Sequence, residues 1–278
     1  MNPPLVISIQ SQVVLGHVGN SAAVFPMQAA GLEVAAIPTV VFSNTPDYPT
    51  LRGRAIPPDF FAELLRGAWE RALPRRASYI VTGYIGSVEI ARMTADFIAR
   101  AKAENPGLRY HCDPVMGDEN PGLYVPETIA RILKEQLLPQ ADLASPNPFE
   151  IAYLTGRPIA RIEDLPRAFA DLRLADGARL IATGCQLLDT PPGMLESVLL
   201  EPQGISRHPT PRLSVSMAGT GDLFLGLITA ALGRGRALPQ AIDFAQIQTS
   251  RALACAARLR AKEVVLSDPD FRAALLSL

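Results

Sequence analysis

The chain has 278 residues, of which 48% are hydrophobic and 19% are charged, and its formal net charge is -1. This composition predicts a globular protein with a large buried core and excludes an intrinsically disordered chain. The near-neutral charge and the scattered arginines provide no basic surface, so we expect neither nucleic acid nor a membrane as a partner.

The cysteines and the N-terminal segment bear on the cellular compartment. Cys112, Cys185 and Cys255 are far apart in the sequence, which argues against a disulfide framework or a zinc site. The N-terminal segment MNPPLVISIQ has no basic stretch before a long apolar run, and no apolar run reaches the roughly 20 residues of a membrane helix. We therefore expect a cytoplasmic protein.

Short runs rich in β-branched residues alternate with longer segments of helical periodicity. This alternation is typical of strand–helix–strand units and predicts a parallel sheet flanked by helices. The predicted strands are Leu5–Gln10, Glu33–Pro38, Tyr79–Gly83, Arg109–Asp113, Leu143–Ser145 and Leu180–Thr183. The predicted helices are Ser21–Ala30, Pro58–Ala72, Ser87–Ala103, Pro126–Gln136, Pro148–Leu154, Leu165–Ala175, Thr220–Leu232 and Pro239–Leu259.

A hairpin and two loops complete the predicted organisation. Met194–Glu201 and Gly204–Pro209 predict a β-hairpin that adds antiparallel strands to the sheet. The proline-containing segments Ser43–Pro58 and Asp118–Pro126 predict loops, which are either active-site flaps or plain surface loops. No repeat or interdomain linker is evident, so we expect one domain over residues 1–278.

The sequence Gly219-Thr220-Gly221-Asp222 directly precedes an apolar helix. Unpaired amides and partial positive charge at a helix N-terminus bind anions, glycines let a phosphate approach the backbone, and Thr220 adds a hydroxyl donor. Asp222 is either a favourable acid in the first helical turn or a general base for a hydroxyl that attacks a phosphate. The GxxxxGK[ST] pattern does not occur, which disfavours a P-loop NTPase.

Two acidic clusters follow other predicted strands. Asp113 and Asp118 flank the sequence Pro114-Val115-Met116-Gly117, and Asn147 and Glu150 stand one helical turn apart. Hard oxygen ligands of this kind suit Mg²⁺ that shares its coordination shell with nucleotide phosphates. Each cluster also has an interpretation as a helix cap or as solvated acids.

Together these motifs resemble those of the ribokinase-type small-molecule kinases, and the N-terminal half resembles the pyridoxal kinase branch. The matching segments are SIQSQVVLGHVGNSAAVFPMQAAG from Ser8, PTVVFSN from Pro38, TGYIGS from Thr82, CDPVMGDENPGLYVPE from Cys112, SPNPFEIAYLTG from Ser145 and GTGDLF from Gly219. The resemblance covers nearly the whole chain. It implies a ribokinase-like three-layer α/β fold with a mostly parallel central sheet, flanking helices and short flap segments.

The resemblance also implies a reaction, namely ATP-dependent phosphorylation of the 5'-hydroxymethyl group of pyridoxal, pyridoxine or pyridoxamine in vitamin B6 salvage. Asp222 would be the catalytic base, assisted by the turn formed by Gly219, Thr220 and Gly221. The residues that would bind the vitamin are Ser11, Val18, Phe42 and Tyr84. The residues that would bind ATP are Asp113, Asp118, Asn147, Glu150, Thr183, Thr220 and Gly221.

Cofactors and assembly follow from the same resemblance. Mg²⁺ would be held by Asp113, Asp118 and Glu150, partly through water, and a monovalent cation such as K⁺ is a family expectation. Residues 117–124 resemble the family's flap over ATP. The family also implies a homodimer.

The chain departs from the family pattern at two places. The family commonly reads SHVV where this chain has SQVV from Ser11, and FSNHTGY where it has FSNTPDY from Phe42. Gln12 cannot titrate near neutrality as His can, Pro46 removes an amide donor, and Asp47 adds negative charge. Two alternatives stay open, a hydroxymethylpyrimidine kinase and a pyridoxal- or pyridoxal-phosphate-binding protein with little kinase activity.

Overall fold

A computed structural model describes residues 3–215 and 217–278 of the chain. Its strands are β1 (Leu5–Val13), β2 (Glu33–Phe42), β3 (Gly53–Ala55), β4 (Ala77–Thr82), β5 (Arg109–Cys112), β6 (Gly117–Asp118), β7 (Gly122–Leu123), β8 (Leu143–Ala144), β9 (Arg179–Cys185), β10 (Met194–Glu201) and β11 (Gly204–Pro211). Its helices are α1 (Asn20–Ala29), α2 (Pro58–Glu70), α3 (Leu73–Arg76), α4 (Val88–Glu104), α5 (Glu127–Ile132), α6 (Pro148–Thr155), α7 (Asp164–Leu172), α8 (Thr220–Gly233), α9 (Leu238–Leu259) and α10 (Pro269–Leu276). No helix in these ranges has the length and apolar character needed to cross a membrane.

Nine of these strands form one sheet in the order β11-β10-β9-β8-β5-β4-β1-β2-β3. The six strands from β9 to β2 in this order run parallel, and β3, β10 and β11 pair antiparallel at the two edges. The predicted parallel sheet and the predicted hairpin are therefore confirmed. In such a sheet the carboxyl ends of the parallel strands meet at one edge, which is where ligands bind in open α/β folds.

The alternation of side chains along β1 separates two cores. Leu5, Ile7 and Ile9 pack into a core that includes apolar residues of α2, α4, α5, α6 and α7. Val6, between them, points to the opposite face and packs with apolar residues of α1, α8, α9 and α10. Helices on both faces of one sheet form the three-layer α/β architecture that the sequence predicted.

Several boundaries and elements differ from the sequence prediction. The predicted loop Ser43–Pro58 contains β3, and the predicted loop Asp118–Pro126 contains β7. Such two- and three-residue strands are too short to carry a periodic pattern. The helix predicted over Pro126–Gln136 ends as an α-helix at Ile132 and continues as a π-helical turn.

The last helix, α10, was not predicted, although its start carries a signal. The Asp268 side chain accepts a hydrogen bond from the Phe271 amide at 2.9 Å, and Pro269 occupies the first helical position. An aspartate N-cap followed by proline is a common helix start. The dipeptide Asp268-Pro269 is therefore a sequence signal from which α10 was predictable.

Helices α1 and α8 approach each other closely at Gly226. A Cβ built on Gly226 would lie 2.9 Å from the Ala23 Cα and 3.0 Å from the Ala23 carbonyl oxygen. Another helical glycine, Gly67 in α2, has no atom within 4 Å of a built Cβ. The two glycines share a helical backbone but differ in the space around them.

Alanine substitutions at these two glycines are expected to have opposite effects on the free energy of unfolding. Gly226→Ala should lower it by about 1–3 kcal/mol because the added methyl group pushes α1 and α8 apart. Gly67→Ala should raise it by about 0.5–1 kcal/mol through helix propensity alone. Urea denaturation followed by circular dichroism measures both, and stabilisation by Gly226→Ala would contradict the close approach.

Candidate active site

Polar residues that follow the parallel strands meet at the carboxyl edge of the sheet. Asp113 follows β5, Asn147 follows β8, and Thr183 lies near the end of β9. Together with the turn at residues 219–222 they line a cavity of about 1190 Å³. Asp118 and Glu150 also line this cavity. The structure therefore brings together all the residues predicted for ATP and metal on this side of the sheet.

The turn that precedes α8 depends on a glycine. Gly219 has a φ of +85°, and a Cβ on it would overlap the carbonyl oxygen of His17. The Leu223 amide donates to the Gly219 carbonyl at 2.9 Å, so the earlier amides of Gly221 and Asp222 have no acceptor within the helix. The Thr220 hydroxyl donates to the Met217 carbonyl at 2.7 Å, which commits its proton to the turn itself.

The two carboxylate oxygens of Asp222 differ in environment. Oδ2 accepts a hydrogen bond from the Gly19 amide at 2.8 Å. Oδ1 is buried and has no hydrogen-bond partner among the residues the structure describes, and a Cβ built on Gly83 would lie 3.1 Å from it. Burial raises the pKa of Asp222, and the Gly19 amide opposes this shift. One oxygen is thus held in place, while the other has its hydrogen-bonding capacity unused among the described residues.

Two further carboxylates, those of Asp113 and Glu150, are buried close to Asp222. Burial raises the pKa of Asp113, with further contributions from the charges of Glu150 and Asp222. Burial also raises the pKa of Glu150, against hydrogen bonds that its carboxylate accepts from the Met116 amide at 3.0 Å and the Asn147 amide at 2.9 Å. None of the three carboxylates has a salt-bridge partner in residues 3–215 and 217–278. The site therefore carries more buried acid than its own cations can balance.

This donor set fits a hydrated cation better than a protein cage. No group of three or more His, Cys, Asp or Glu side chains converges on one point among the described residues. Both carboxylate oxygens of Glu150 accept hydrogen bonds from backbone amides. Asp118 is exposed, and its carboxylate accepts a hydrogen bond from the Glu119 amide at 2.7 Å. Asp113 thus offers a direct ligand, whereas Glu150 is suited to contact through water. Mg²⁺ commonly binds in this way, through one or two carboxylates, water and substrate phosphates.

The hairpin formed by β6 and β7 projects over the cavity from the start of α6. The Asn147 side chain donates to the Gly117 carbonyl at 2.9 Å, and the Asn147–Glu150 capping box anchors the same point. At this same base of the hairpin the Tyr124 amide donates to the Met116 carbonyl at 2.9 Å. The Tyr124 side chain lines the cavity, with its ring centroid 6.5 Å from that of Tyr84. The predicted flap at residues 117–124 is therefore a β-hairpin, and its base lies between the start of α6 and Tyr84.

The residues predicted for the vitamin lie on the adjoining strands. Ser11 is buried in β1, Phe42 ends β2, and Tyr84 and Val18 lie just beyond β4 and β1. None of the four lines the large cavity in the described part of the chain. Two of them border the contact between Gly19 and Asp222, since a Cβ built on Gly19 would overlap Ser11 and one built on Gly219 would lie 3.3 Å from Val18 Cγ1.

Gln12, the first departure from the family pattern, is engaged by α1. Its side chain donates to the Ser21 hydroxyl at 2.8 Å. The Ser21 hydroxyl in turn donates to the Val13 carbonyl at 3.1 Å. Gln12 therefore contributes to the junction of β1 and α1.

Sequence reasoning missed several residues of the site. Gly19 supplies the amide that fixes Asp222, and Gln246 and Thr249 of α9 line the far end of the cavity. The Thr249 and Ser145 hydroxyls are buried and have no partner among the described residues. A lone amide or a polar residue on a helix has no local signature, and only the position of Gly19 before α1 could have suggested its role.

Comparison with known proteins gives a consistent result. The phosphomethylpyrimidine kinase family model matches residues 26–266. The chain is 38% identical over 268 residues to a pyridoxine/pyridoxal/pyridoxamine kinase of Bordetella avium, which covers 95% of this chain and 90% of that protein. It is 35% identical to pyridoxal kinase PdxY of Rubrobacter xylanophilus, over 94% of this chain and 90% of that protein.

A solved structure shows the same architecture. Pyridoxal kinase from Leishmania donovani, in complex with ADP and pyridoxamine, superimposes with a TM-score of 0.87 at 27% identity, over 98% of this chain and 95% of that one. The fold, the motifs and the relatives agree. The chain therefore belongs to the phosphomethylpyrimidine kinase family and, within the ribokinase-like superfamily, to its pyridoxal kinase branch.

Proposed function

We propose that this protein is a pyridoxal kinase that transfers the γ-phosphoryl group of ATP to the 5'-hydroxymethyl group of pyridoxal in vitamin B6 salvage. Pyridoxine and pyridoxamine are further acceptors by the same chemistry. The observation that carries the proposal is Asp222, which lies at the phosphate turn with one oxygen fixed by Gly19 and the other unpartnered. Kinases named for these vitamers are similar to the chain over most of its length, which supports this choice of acceptor.

In the proposed reaction, Asp222 Oδ1 accepts the proton of the vitamin hydroxyl while the hydroxyl oxygen bonds to the γ-phosphorus. The bond between this phosphorus and the bridging oxygen of ADP breaks, and ADP departs with that electron pair. The amides of Gly221 and Asp222 stabilise the negative charge on the transferred group. Because the pKa of Asp222 is raised toward neutral pH, its carboxylate accepts a proton more readily, which favours a role as general base.

Water must be kept from the γ-phosphate during transfer, since hydrolysis competes with the vitamin. We assign this role to the β6–β7 hairpin, which is anchored by Asn147 and carries Tyr124 beside Tyr84. Phe42, Val18 and Tyr84 would flank the pyridine ring, and Ser11 would contact its polar edge. Thr183 would contact phosphate from the end of β9.

We further propose Mg²⁺ as the cofactor, with Asp113 as a direct ligand and Asp118 and Glu150 acting through water. When bound, the ion neutralises phosphate charge that few basic side chains are present to balance. A dependence on K⁺ stays a prediction of the family resemblance.

The two alternative functions are less well supported. Hydroxymethylpyrimidine kinase would use the same phosphate turn, but the curated relatives over most of this chain are named for B6 vitamers. A pyridoxal-binding protein would not need a catalytic base, and here Asp222 has one carboxylate oxygen without a hydrogen-bond partner among the described residues. A vitamin kinase accounts for both observations.

Purified protein with ATP and Mg²⁺ is expected to phosphorylate pyridoxal, pyridoxine or pyridoxamine faster than hydroxymethylpyrimidine. Asp222→Asn should lower kcat by about a hundredfold to ten-thousandfold, because the amide still accepts from Gly19 but cannot take a proton. The affinity for ADP should stay within about twofold. Chromatographic detection of each phosphorylated product and calorimetry with ADP measure these quantities.

Asp59→Asn is the matched control, since Asp59 also lies in the first turn of a helix but is exposed. It should leave kcat unchanged. Preferred turnover of hydroxymethylpyrimidine would favour that alternative, and tight pyridoxal binding without product would favour the binding protein. Near-normal turnover of a folded Asp222→Asn variant would exclude the proposed base.

The ligand-free protein is expected to lose stability as the pH rises from about 7 to about 8. The pKa of Glu150 is raised to about 8, and those of Asp113 and Asp222 are also raised. A folded-state pKa above the unfolded value gives stability at low pH that is lost as the pH rises through the folded value. His111, whose pKa is lowered to about 4, changes stability only below this range.

Mg²⁺ with ADP should reduce this loss, since a bound cation favours the charged carboxylates. The thermal unfolding midpoint, measured with and without the ligands at each pH, checks the expectation. ADP with a chelator is the control for binding without the metal. A midpoint that rises with pH in the ligand-free protein would contradict the raised pKa values.

We also propose a homodimer, supported by an exposed apolar edge beside the vitamin side. Val14 is 82% and Leu15 is 56% exposed. Their amides donate to the carbonyls of Phe42 and Ser43, each at 2.9 Å, so the edge has a defined backbone. The exposed side chain of Val41 lies on the neighbouring strand. Association of two copies would remove this apolar surface from water.

Light scattering after size exclusion is expected to give twice the chain mass. The double substitution Val14→Glu and Leu15→Glu should yield the monomer, because charges would be buried at the contact. Leu276→Glu is the control, as Leu276 is 77% exposed in α10, away from this edge. A monomeric wild type would contradict the dimer.

Two broader assignments complete the proposal. We infer that the chain is one kinase domain over residues 1–278, because a single sheet includes strands from β1 to β11. We infer a cytoplasmic location from Cys112, Cys185 and Cys255, which are free and buried.

A further inference from the structure

A buried carboxylate outside the phosphate site, that of Glu263, lies where several substrate-side segments meet. Glu263 follows α9 and is 6% exposed. It takes part in no ion pair within the described ranges 3–215 and 217–278. A carboxylate buried without a cation depends on hydroxyl or amide donors. Its contacts therefore indicate which segments it holds together.

The first contact is with the loop that follows β2. The Thr45 hydroxyl, which is buried, donates to Glu263 Oε1 at 3.5 Å. Desolvation raises the pKa of Tyr48, and the nearby charge of Glu263 raises it further. The preceding Lys262 donates to the Asp47 carbonyl at 3.3 Å, and its Nζ lies 4.8 Å from the centroid of the Tyr48 ring. The consecutive residues Lys262 and Glu263 thus hold the loop at residues 45–48 in place.

The second contact is with the segment that connects β1 to α1. Gly16 has a φ of +99°, and a Cβ built on it would overlap the Glu263 carboxylate. Three residues further on, the Gly19 amide donates to Asp222. The Glu263 side chain therefore packs against the backbone that leads to the amide orienting the base.

The third contact is made by the Glu263 backbone. It forms a parallel bridge with Ala218, the residue before Gly219. Gly219 itself approaches the His17 carbonyl so closely that no Cβ would fit between them. Glu263 is thus common to the loop at residues 45–48, the segment at residues 16–19 and the phosphate turn.

We propose that Glu263 is a positioning residue that fixes the 45–48 loop and the 16–19 segment against the phosphate turn. In this role it sets the affinity for the vitamin and the alignment of its hydroxyl with Asp222, without touching either substrate. The inference rests on the proposed function, because it assigns the vitamin to this side of Asp222. It also explains how Pro46 and Asp47 are accommodated, since the loop is held by the Thr45 hydroxyl and by Lys262.

The test compares Glu263→Gln and Glu263→Ala with Glu135→Gln, an exposed acid elsewhere on the surface. Both Glu263 variants should raise the KM for pyridoxal by about tenfold or more, and Glu263→Ala should also lower kcat by up to about a hundredfold through misalignment. The KM for ATP should stay within about twofold, as the nucleotide cavity is not lined by Glu263. Glu135→Gln should change none of these values.

A second readout does not depend on turnover. Hydrogen–deuterium exchange of peptides covering residues 14–19 and 43–50 should be about fivefold faster in Glu263→Gln, while peptides within α4 stay unchanged. Circular dichroism confirms that each variant is folded. A structural role spread over the whole protein would instead accelerate exchange in α4 as well.

The outcomes separate the two proposals. An unchanged KM for pyridoxal in a folded variant, or an equal rise in both KM values, overturns the role of Glu263. If the wild type phosphorylates no B6 vitamer, the proposed function fails, and the exchange data still decide whether Glu263 positions the two segments. Unchanged exchange in both segments overturns the positioning role in that case too.

Discussion

The hydrogen bond from the Gly19 amide to Asp222 joins segments separated by 203 residues, and the site is organised around it. It requires the start of α1 and the start of α8 to meet at the carboxyl edge of the sheet. Gly226 permits the close approach of these helices, and Gly219 permits the approach of the turn to the His17 carbonyl. Asp222 lines the large cavity, whereas the residues predicted to bind the vitamin do not line it in the described part of the chain.

Electrostatics at this contact oppose stability and favour function. The buried carboxyls of Asp113 and Glu150 lie near the half-buried Asp222, and desolvation raises the pKa of all three. A core designed only for stability would not hold three such groups without cations. A phosphoryl-transfer site of the kind we propose would benefit from them, because one carboxylate would act as the base and the others would hold a cation. These carboxylates lower the stability of the ligand-free protein, and the same groups favour the binding of a cation with its phosphates.

The departures from the family pattern are accommodated in different ways. Gln12 hydrogen-bonds Ser21 and so belongs to the junction of β1 and α1. Pro46 and Asp47 lie in a loop in which Thr45 donates to Glu263 and the Asp47 carbonyl accepts from Lys262. Gln12 thus stabilises the junction of β1 and α1, whereas Pro46 and Asp47 lie in a loop that Lys262 and Glu263 hold in place.

The sequence by itself determined the alternation of strands and helices, the hairpin of β10 and β11, and the motifs that line the large cavity. These features are local, since periodicity, capping residues and glycine turns act within a few positions of one another. Tertiary structure alone decided that Gly19 orients Asp222, that Tyr124 reaches Tyr84, and that Glu263 lies against Gly16 and Thr45. Such contacts join distant segments whose side chains carry no local pattern, and the packing of helices on the two faces of the sheet sets which of them meet.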